Sequence, residues 1–214
     1  MEIAIPLFEK FTALDAVGPY QVLSALPAAR VRFLGPEAGP ILTDNEMLTL
    51  VAEARWEDSP SPDVLVVPGG MGTRALLRDE RLLDWVRSVH QSSRYTTSVC
   101  TGSLVLAAAG LLEDTDATTH WLEMELLGSL GARPTSQRVV ERGKVITAAG
   151  VSSGIDMALR LAALIAGPEV AQAIQLAIEY DPQPPFDAGS PEKAPPEIVE
   201  LVRGVMEGME SEVR

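Results

Sequence analysis

The strongest nucleophile in this 214-residue chain is its one cysteine, Cys100. It follows a β-favouring segment, Tyr95–Val99, and precedes a helix-forming run over residues 104–109. A strand that turns directly into a helix at a nucleophile is typical of a nucleophile elbow. Free N–H groups at the start of that helix favour a thiolate. The pattern therefore predicts a reactive thiol at Cys100, and the alternative is a buried structural cysteine.

A catalytic cysteine needs an acid or a base beside it. Thr101 follows Cys100, so the simplest pairing of adjacent cysteine and histidine is absent from the sequence. Asp15 follows the predicted first strand at the start of a helix, where a carboxyl either caps the helix or serves the thiol. Close to a thiolate, the pKa of Asp15 would rise, and the carboxyl could donate a proton at neutral pH.

A glycine pair, Gly69 and Gly70, ends a continuous apolar run that reads as a buried parallel strand. Glycine allows backbone to approach another group closely. Together with the amide of Thr101, the pair could offer N–H donors to a developing anion. The alternative is a tight turn between the strand and the next helix.

The chain contains only two histidines. His120 is predicted at the end of a short strand beside Trp121, where both could line the substrate pocket. The alternative for His120 is a packed, hydrogen-bonded histidine. His90 lies in a polar stretch and is expected to be a solvated helix residue. With one cysteine and two separated histidines, we expect no metal site, and the sequence has no nucleotide-binding glycine motif that would indicate a cofactor.

The composition limits the kinds of partner and the cellular compartment that we expect for this protein. The net charge is −13, which argues against nucleic acid or an anionic membrane as a partner. The partner that we expect is a small-molecule substrate. A lone cysteine excludes an intrachain disulfide and fits a reducing cytoplasm. The first residues lack the basic segment and long apolar run of a signal peptide, so we expect a cytoplasmic protein.

Strands alternate with helices along the chain, which predicts an α/β fold with a mostly parallel central sheet. The predicted strands are residues 2–8, 30–34, 64–67, 95–99 and 117–120, together with 137–140 and 144–148, which form a hairpin. Residues 41–52 are predicted to be a strand or a hairpin. The predicted helices are residues 14–26, 73–77, 80–92, 104–109, 122–130, 153–166, 169–180 and 197–213. Functional sites in such sheets lie at the C-terminal ends of the strands. Asp15, the glycine pair and Cys100 each come after a predicted strand, so we expect them at this edge.

The domain prediction is one α/β domain over residues 1–195, followed by a C-terminal amphipathic helix over residues 196–214. Apolar residues recur on one face of that helix: Ile198, Leu201, Val202, Val205 and Met209. Such a stripe is expected to pack, either on the domain itself or on a dimer partner.

Several motifs together resemble one known family. They are LDAVGP (14–19), VVPGG (66–70), SVCTGSLVLAAAGLL (98–112), ATTHW (117–121), GID (154–156) and EYDPQPPFDAGSP (179–191). The chain is identified by them as a member of the ThiJ/PfpI superfamily, within the class I glutamine amidotransferase-like fold, and most resembles its isocyanide hydratase branch. The resemblance covers nearly the whole chain.

The resemblance implies a flavodoxin-like three-layer sandwich, a homodimer and a nucleophilic Cys100 that faces the carboxyl of Asp15. Protease-type members carry histidine directly after the nucleophile, so Thr101 argues against peptidase activity. The CTGS and ATTHW motifs also occur in sensor domains of AraC-type regulators, which add a helix-turn-helix region that we do not expect here.

The expected function is therefore hydration of an isocyanide to an N-substituted formamide, by a lyase that needs no cofactor. Cys100 attacks the terminal carbon, Asp15 supplies a proton to give a thioimidate, and the same carboxylate then activates water. The amides at Gly70 and Thr101, with the Thr101 hydroxyl, would orient that water or the oxyanion. The alternatives are glyoxalase- or deglycase-like chemistry on reactive carbonyls, and a redox-sensing or ligand-binding dimer without turnover.

Overall fold

The computed structural model describes the backbone of residues 1–212, and the side chains of residues 1–206 and 208. The chain divides into two compact units, Met1–Ile178 and a second that begins at Glu179. The first unit contains all of the predicted site residues.

A mixed sheet forms the centre of the first unit. The strands are β1 Glu2–Pro6, β2 Arg30–Gly35, β3 Gly39–Leu42, β4 Thr49–Ala52, β5 Ala54–Arg55, β6 Val64–Val67, β7 Tyr95–Val99, β8 Asp116–Ala117, β9 Arg133–Pro134, β10 Val139–Arg142 and β11 Val145–Ala148. Within the described residues, the central sheet has seven strands in the order β10-β11-β7-β6-β1-β2-β5. All neighbours in it are parallel except β10 and β11.

Helices cover both faces of this sheet. The helices of the first unit are α1 Ala13–Leu23, α2 Thr73–Leu76, α3 Glu80–Ser92, α4 Gly102–Ala108, α5 Met124–Ser129, α6 Ser153–Ala166 and α7 Pro168–Ala177, and the second unit contains α8 Pro196–Glu212. One group consists of α1, α6 and α7, with α6 in contact with both others; α4 contacts α2, α3 and α5. A strand such as β6, whose four residues VLVV are all buried, needs helices on both faces. The predicted flavodoxin-like α/β sandwich is confirmed.

The segments with the strongest apolar pattern were predicted with the correct ends, namely β6, β7, α3 and α6. The largest error concerns residues 117–120, which were expected to be a strand. Only Asp116–Ala117 pair with a neighbouring strand, and Trp121–Glu123 already form a turn of 3-10 helix. The four residues ATTH form too short a pattern to fix where strand pairing stops.

The second unit contains an irregular proline-rich stretch and α8. Within α8, the side chains of Ile198, Leu201, Val202 and Val205 are exposed in this structure. The fifth residue of the predicted stripe is Met209, whose side chain is not among those described. The predicted helix end at residue 213 lies outside the described residues. None of the described helices is long and apolar enough to cross a membrane.

Candidate active site

Cys100 occupies a strained turn at the C-terminal edge of the sheet. It lies directly between β7 and the first turn of α4, and its φ of 56° is in the left-handed region that non-glycine residues rarely adopt. Its N–H donates to the carbonyl oxygens of Ala148 and Ala149, at 3.1 and 3.0 Å, where β11 ends. Thr119 Oγ1 donates to the Cys100 carbonyl at 3.0 Å. The backbone of the elbow is thus held from two neighbouring segments, as expected for a strained residue at a functional site.

Asp15 lies fully buried in the first turns of α1. Its Oδ2 accepts a hydrogen bond from the Gly69 N–H at 2.9 Å. Within the described residues, its Oδ1 has no hydrogen-bond partner of ordinary geometry. Burial raises the pKa of Asp15 from 3.8 to about 7, although the Gly69 amide and the nearby Cys100 thiol lower it. A carboxyl with this pKa can both give and take a proton near neutral pH.

The thiol of Cys100 is more basic than the sequence pattern suggested. Burial raises its pKa above the ordinary thiol value, and the negative charge of Asp15 raises it further. The amides of Val151 and Thr101, together with the Thr101 hydroxyl, oppose this shift. The N–H donors near the helix start do favour the thiolate, as expected, but the desolvation of a buried thiolate outweighs them.

Gly69 lies between the carboxyl of Asp15 and the elbow and allows the two to approach each other. A Cβ at this position would lie 2.5 Å from the amide nitrogen and from Oγ1 of Thr101, and 2.9 Å from Asp15 Oδ2. These distances are far below a van der Waals contact, so any side chain would push Thr101 and Asp15 apart. The glycine after β6 is required by close approach rather than by the turn alone.

Gly70 is placed differently from the prediction that its amide would face a developing anion. Its N–H donates to Thr101 Oγ1 at 2.9 Å, and the Gly69 N–H is taken by Asp15. Both glycine amides therefore bind other site residues in this structure. The amides that stabilise negative charge on the Cys100 sulfur are those of Thr101 and Val151.

Val151 was missed by the sequence analysis. This β-branched residue has a φ of 27°, which is unfavourable for its type, and it precedes α6. Its amide lowers the pKa of the Cys100 thiol, so the strained turn points an N–H at the sulfur. The sequence signal was indirect: the AAGVSSG stretch after β11 indicates a turn, but not one that reaches Cys100.

His120 and Trp121 directly follow Thr119, whose hydroxyl donates a hydrogen bond to the Cys100 carbonyl. The Nδ1 of His120 accepts a hydrogen bond from the Leu122 N–H at 3.4 Å, and the ring packs against the backbone of Gly150. Its pKa is lowered by burial, so the imidazole is neutral at pH 7.

His90, predicted to be solvated, is instead half-buried. Its Nδ1 lies 2.9 Å from Thr96 Oγ1 near the start of β7, at the opposite end of the strand from Cys100. Its pKa is lowered by burial and by the charge of Lys144. The polar residues around it in the sequence gave no sign of this contact, which depends on how α3 packs on the sheet.

Comparison with known proteins shows the family of this chain. The model of the DJ-1/PfpI family matches residues 1–164. The chain belongs to the DJ-1/PfpI family. This family member is 46% identical over 203 residues to the isonitrile hydratase of Pseudomonas putida, a match that covers 95% of this chain and 89% of the hydratase. The ThiJ/PfpI resemblance seen in the motifs is therefore confirmed.

Two further relatives of this DJ-1/PfpI protein are informative. A crystal structure of a ThiJ/PfpI family protein from Pseudomonas syringae superimposes with a TM-score of 0.93 at 35% identity, covering 98% of this chain and 87% of that one. The transcriptional regulator CdhR of Pseudomonas aeruginosa is 32% identical over 174 residues, which are 79% of this chain but 51% of the regulator. The match to CdhR thus spans about half of the regulator's length.

Within the described residues, no group of three or more His, Cys, Asp and Glu side chains is placed to hold a metal ion. The residues that the structure does bring together are a buried carboxyl, a buried thiol and a hydroxyl. This set can add a proton and a sulfur nucleophile to one substrate atom, and can then deliver water to that atom.

Proposed function

We propose that this protein hydrates isocyanides to N-substituted formamides, with Cys100 as the nucleophile and Asp15 as the acid and base. The observation that carries the proposal is the pairing of a buried carboxyl, whose pKa is raised to about 7, with a buried thiol. The 46% identity to a protein named isonitrile hydratase supports it, since isonitrile is another name for isocyanide.

The terminal carbon of an isocyanide accepts both a nucleophile and a proton, which fits a site that holds one proton between two groups. The sulfur of Cys100 forms a bond to this carbon, and Asp15 delivers the proton of the thiol to the same carbon. The product is a thioimidate, R–N=CH–S–Cys. Negative charge on sulfur during the attack is stabilised by the amides of Thr101 and Val151.

Water completes the reaction. The Asp15 carboxylate accepts a proton from water as the water oxygen bonds to the thioimidate carbon, and this proton passes to the substrate nitrogen. The tetrahedral adduct R–NH–CH(OH)–S–Cys then collapses: the C–S bond breaks, its electrons stay on sulfur, and the hydroxyl proton reaches the sulfur through Asp15. The formamide R–NH–CHO leaves, and the thiol and the carboxylate are restored.

The test is turnover of an alkyl isocyanide by the purified protein. The loss of the isocyanide is monitored by its infrared band, and the formamide is measured by chromatography. Formamide must appear in an amount equal to the isocyanide lost. A protein that forms none, yet produces lactate from methylglyoxal, would instead support the carbonyl alternative. If the protein forms neither formamide nor lactate, and mild peroxide converts Cys100 stoichiometrically to sulfinic acid, the result would support redox sensing. Both alternatives are less supported by the comparisons than the hydratase.

The rate should depend on pH in a defined direction. The reactive state keeps one proton between Asp15 and Cys100, and below the Asp15 pKa of about 7 a second proton is bound. We therefore expect kcat/KM to fall about tenfold per pH unit below pH 7 and to level off above it.

The measurement is kcat/KM from pH 5 to 9 with an alkyl isocyanide, which has no titrating group of its own in this range. A blank without enzyme at each pH corrects for acid hydrolysis, and circular dichroism checks that the protein stays folded. A profile that instead rises as the pH falls below 7 contradicts the proposed protonation state.

We also propose that two copies of the chain associate, as the family resemblance implies. The hairpin of β3 and β4 exposes large apolar side chains, with Met47 at 83% and Val51 at 66% relative exposure. Such side chains favour burial against a second copy. Light scattering at micromolar concentration should give twice the chain mass of 22.9 kDa, and Val51→Asp should shift the mass toward the monomer. A wild-type protein of single-chain mass would overturn the proposal.

Two smaller proposals complete this assignment. The described apolar side chains of the α8 stripe are exposed, and an exposed apolar stripe favours packing against another surface. We propose that the stripe packs on the α/β domain or on the dimer partner. The reaction is placed in the cytoplasm, since a reducing compartment keeps Cys100 as the free thiol that the attack requires.

A further inference from the structure

The Thr101 hydroxyl belongs to a closed ring of hydrogen bonds that begins and ends on Gly70. The Gly70 N–H donates to Thr101 Oγ1 at 2.9 Å, and Thr101 Oγ1 lies 2.9 Å from Thr73 Oγ1. Thr73 Oγ1 in turn donates to the Gly70 carbonyl at 2.7 Å. Thr73 is the first residue of α2 and is buried, so the ring ties the start of this helix to the residue beside the nucleophile.

The distances indicate which way the protons point. Each threonine hydroxyl has one proton to donate. The Gly70 carbonyl lies 2.7 Å from Thr73 Oγ1 but 3.3 Å from Thr101 Oγ1, so it takes the proton of Thr73. The proton of Thr101 then goes to Thr73 Oγ1, and each bond in the ring polarises the next. Thr101 Oγ1 is left with a lone pair, rather than a proton, for a group that enters the site.

Thr101 directly follows Cys100, and its side chain opposes the rise of the Cys100 thiol pKa that burial causes. In the free enzyme, a thiolate would compete with Thr73 for the Thr101 proton. Once the sulfur carries the substrate as a thioimidate, it is only a weak acceptor. Thr73 is then the acceptor that holds this proton during the second half of the reaction.

We propose that Thr73 is a positioning residue for the hydrolysis of the thioimidate. By holding the Thr101 proton, Thr73 makes Thr101 Oγ1 an acceptor that fixes the attacking water. The water oxygen bonds to the thioimidate carbon, one water proton goes to the Asp15 carboxylate, and the second is hydrogen-bonded to Thr101 Oγ1. The collapse of the adduct follows as described above, with no covalent change at either threonine. This inference rests on the proposed hydration.

The test is Thr73→Val, which keeps the shape of the side chain and removes the hydroxyl. We expect kcat to fall about tenfold, the effect of losing one positioning hydrogen bond, because hydrolysis becomes slow. The value of kcat/KM, which reports formation of the thioimidate, should stay within about twofold. Intact mass spectrometry during turnover should show Cys100 carrying the added mass of the isocyanide. Thr73→Ser, which restores the hydroxyl, should return kcat to within about twofold of wild type.

The matched control is Thr97→Val. Thr97 is also buried and donates its hydroxyl to a backbone carbonyl, that of Leu65 at 3.0 Å, but it is outside the ring. Its kcat should equal that of wild type. If Thr73→Val is poorly folded, Thr73→Ala is measured with the same three readouts.

Each outcome separates this inference from the function on which it rests. Wild-type protein that forms no formamide overturns the hydration and the role of Thr73 together. Normal wild-type turnover with an unchanged kcat in Thr73→Val overturns the role of Thr73 alone. The same holds if kcat and kcat/KM fall equally and no adduct accumulates, because the hydroxyl then acts before the thioimidate forms or only supports the fold.

Discussion

Replacement of Cys100 by alanine is expected to abolish formamide production, with a loss of at least about a thousandfold. The thiol provides the atom that bonds to the isocyanide carbon, and the chain has no other cysteine that could replace it. Serine at the same position should be nearly as inactive, because an alcohol beside a carboxyl with a pKa of about 7 stays protonated. Steady-state production of formamide, measured by chromatography, checks both variants.

The matched control is Ser98→Ala. Ser98 lies two residues earlier in β7 and is equally buried, and its hydroxyl has no hydrogen-bond partner in the described part of the chain. It should keep activity within about twofold, because no step of the mechanism uses it. Formamide production by Cys100→Ala at the wild-type rate would contradict the thioimidate mechanism.

Replacement of Asp15 by asparagine is expected to produce a protein that is inactive but more stable. Asparagine has nearly the same shape and can still accept the Gly69 N–H. It cannot transfer a proton, so kcat/KM should fall by at least about a hundredfold. At the same time, the variant no longer places an ionisable carboxyl in a fully buried site.

The sign of the stability effect follows from the raised pKa of Asp15. Between pH 3.8 and about 7 the folded protein keeps the proton that the unfolded chain has released. The unfolded state therefore binds fewer protons, and the free energy of unfolding falls as the pH rises through this window. The wild-type cost approaches about 4 kcal/mol above pH 7, and the Asp15→Asn variant avoids it.

Urea denaturation of both proteins at pH 5 and pH 8 measures this effect. The extra stability of Asp15→Asn should be about 2–3 kcal/mol larger at pH 8 than at pH 5. Asp84→Asn, which alters an exposed carboxyl in α3, is the control and should show no such difference. An Asp15→Asn variant that is destabilised equally at both pH values would contradict a neutralised, buried carboxyl.

The order of strands and helices could be read from the sequence because it depends on local patterns. Continuous apolar runs such as Val64–Val67 are typical of parallel strands buried on both faces, and the periodicity of Ser153–Ala166 indicates a helix. The elbow at Cys100 was also readable, since strand, nucleophile, glycine and helix follow one another within a few residues. Short segments were less certain: the end of strand pairing after Ala117 depends on a partner, Arg133–Pro134, that is far away in the sequence.

The tertiary structure alone decided the electrostatics of the site. The residue types of Asp15, Gly69 and Cys100 could be singled out from the sequence, but the site is assembled by long-range contacts. The hydrogen bond between Gly69 and Asp15, for example, joins residues 54 positions apart. The rise of the Cys100 pKa could not be read from the sequence, because burial is a property of the packed site and local N–H donors are only one contribution to the pKa. The strained amide of Val151 and the hydroxyl of Thr73 were invisible for the same reason. Sequence patterns report local backbone preference, whereas the protonation of a buried pair depends on everything that surrounds it in space.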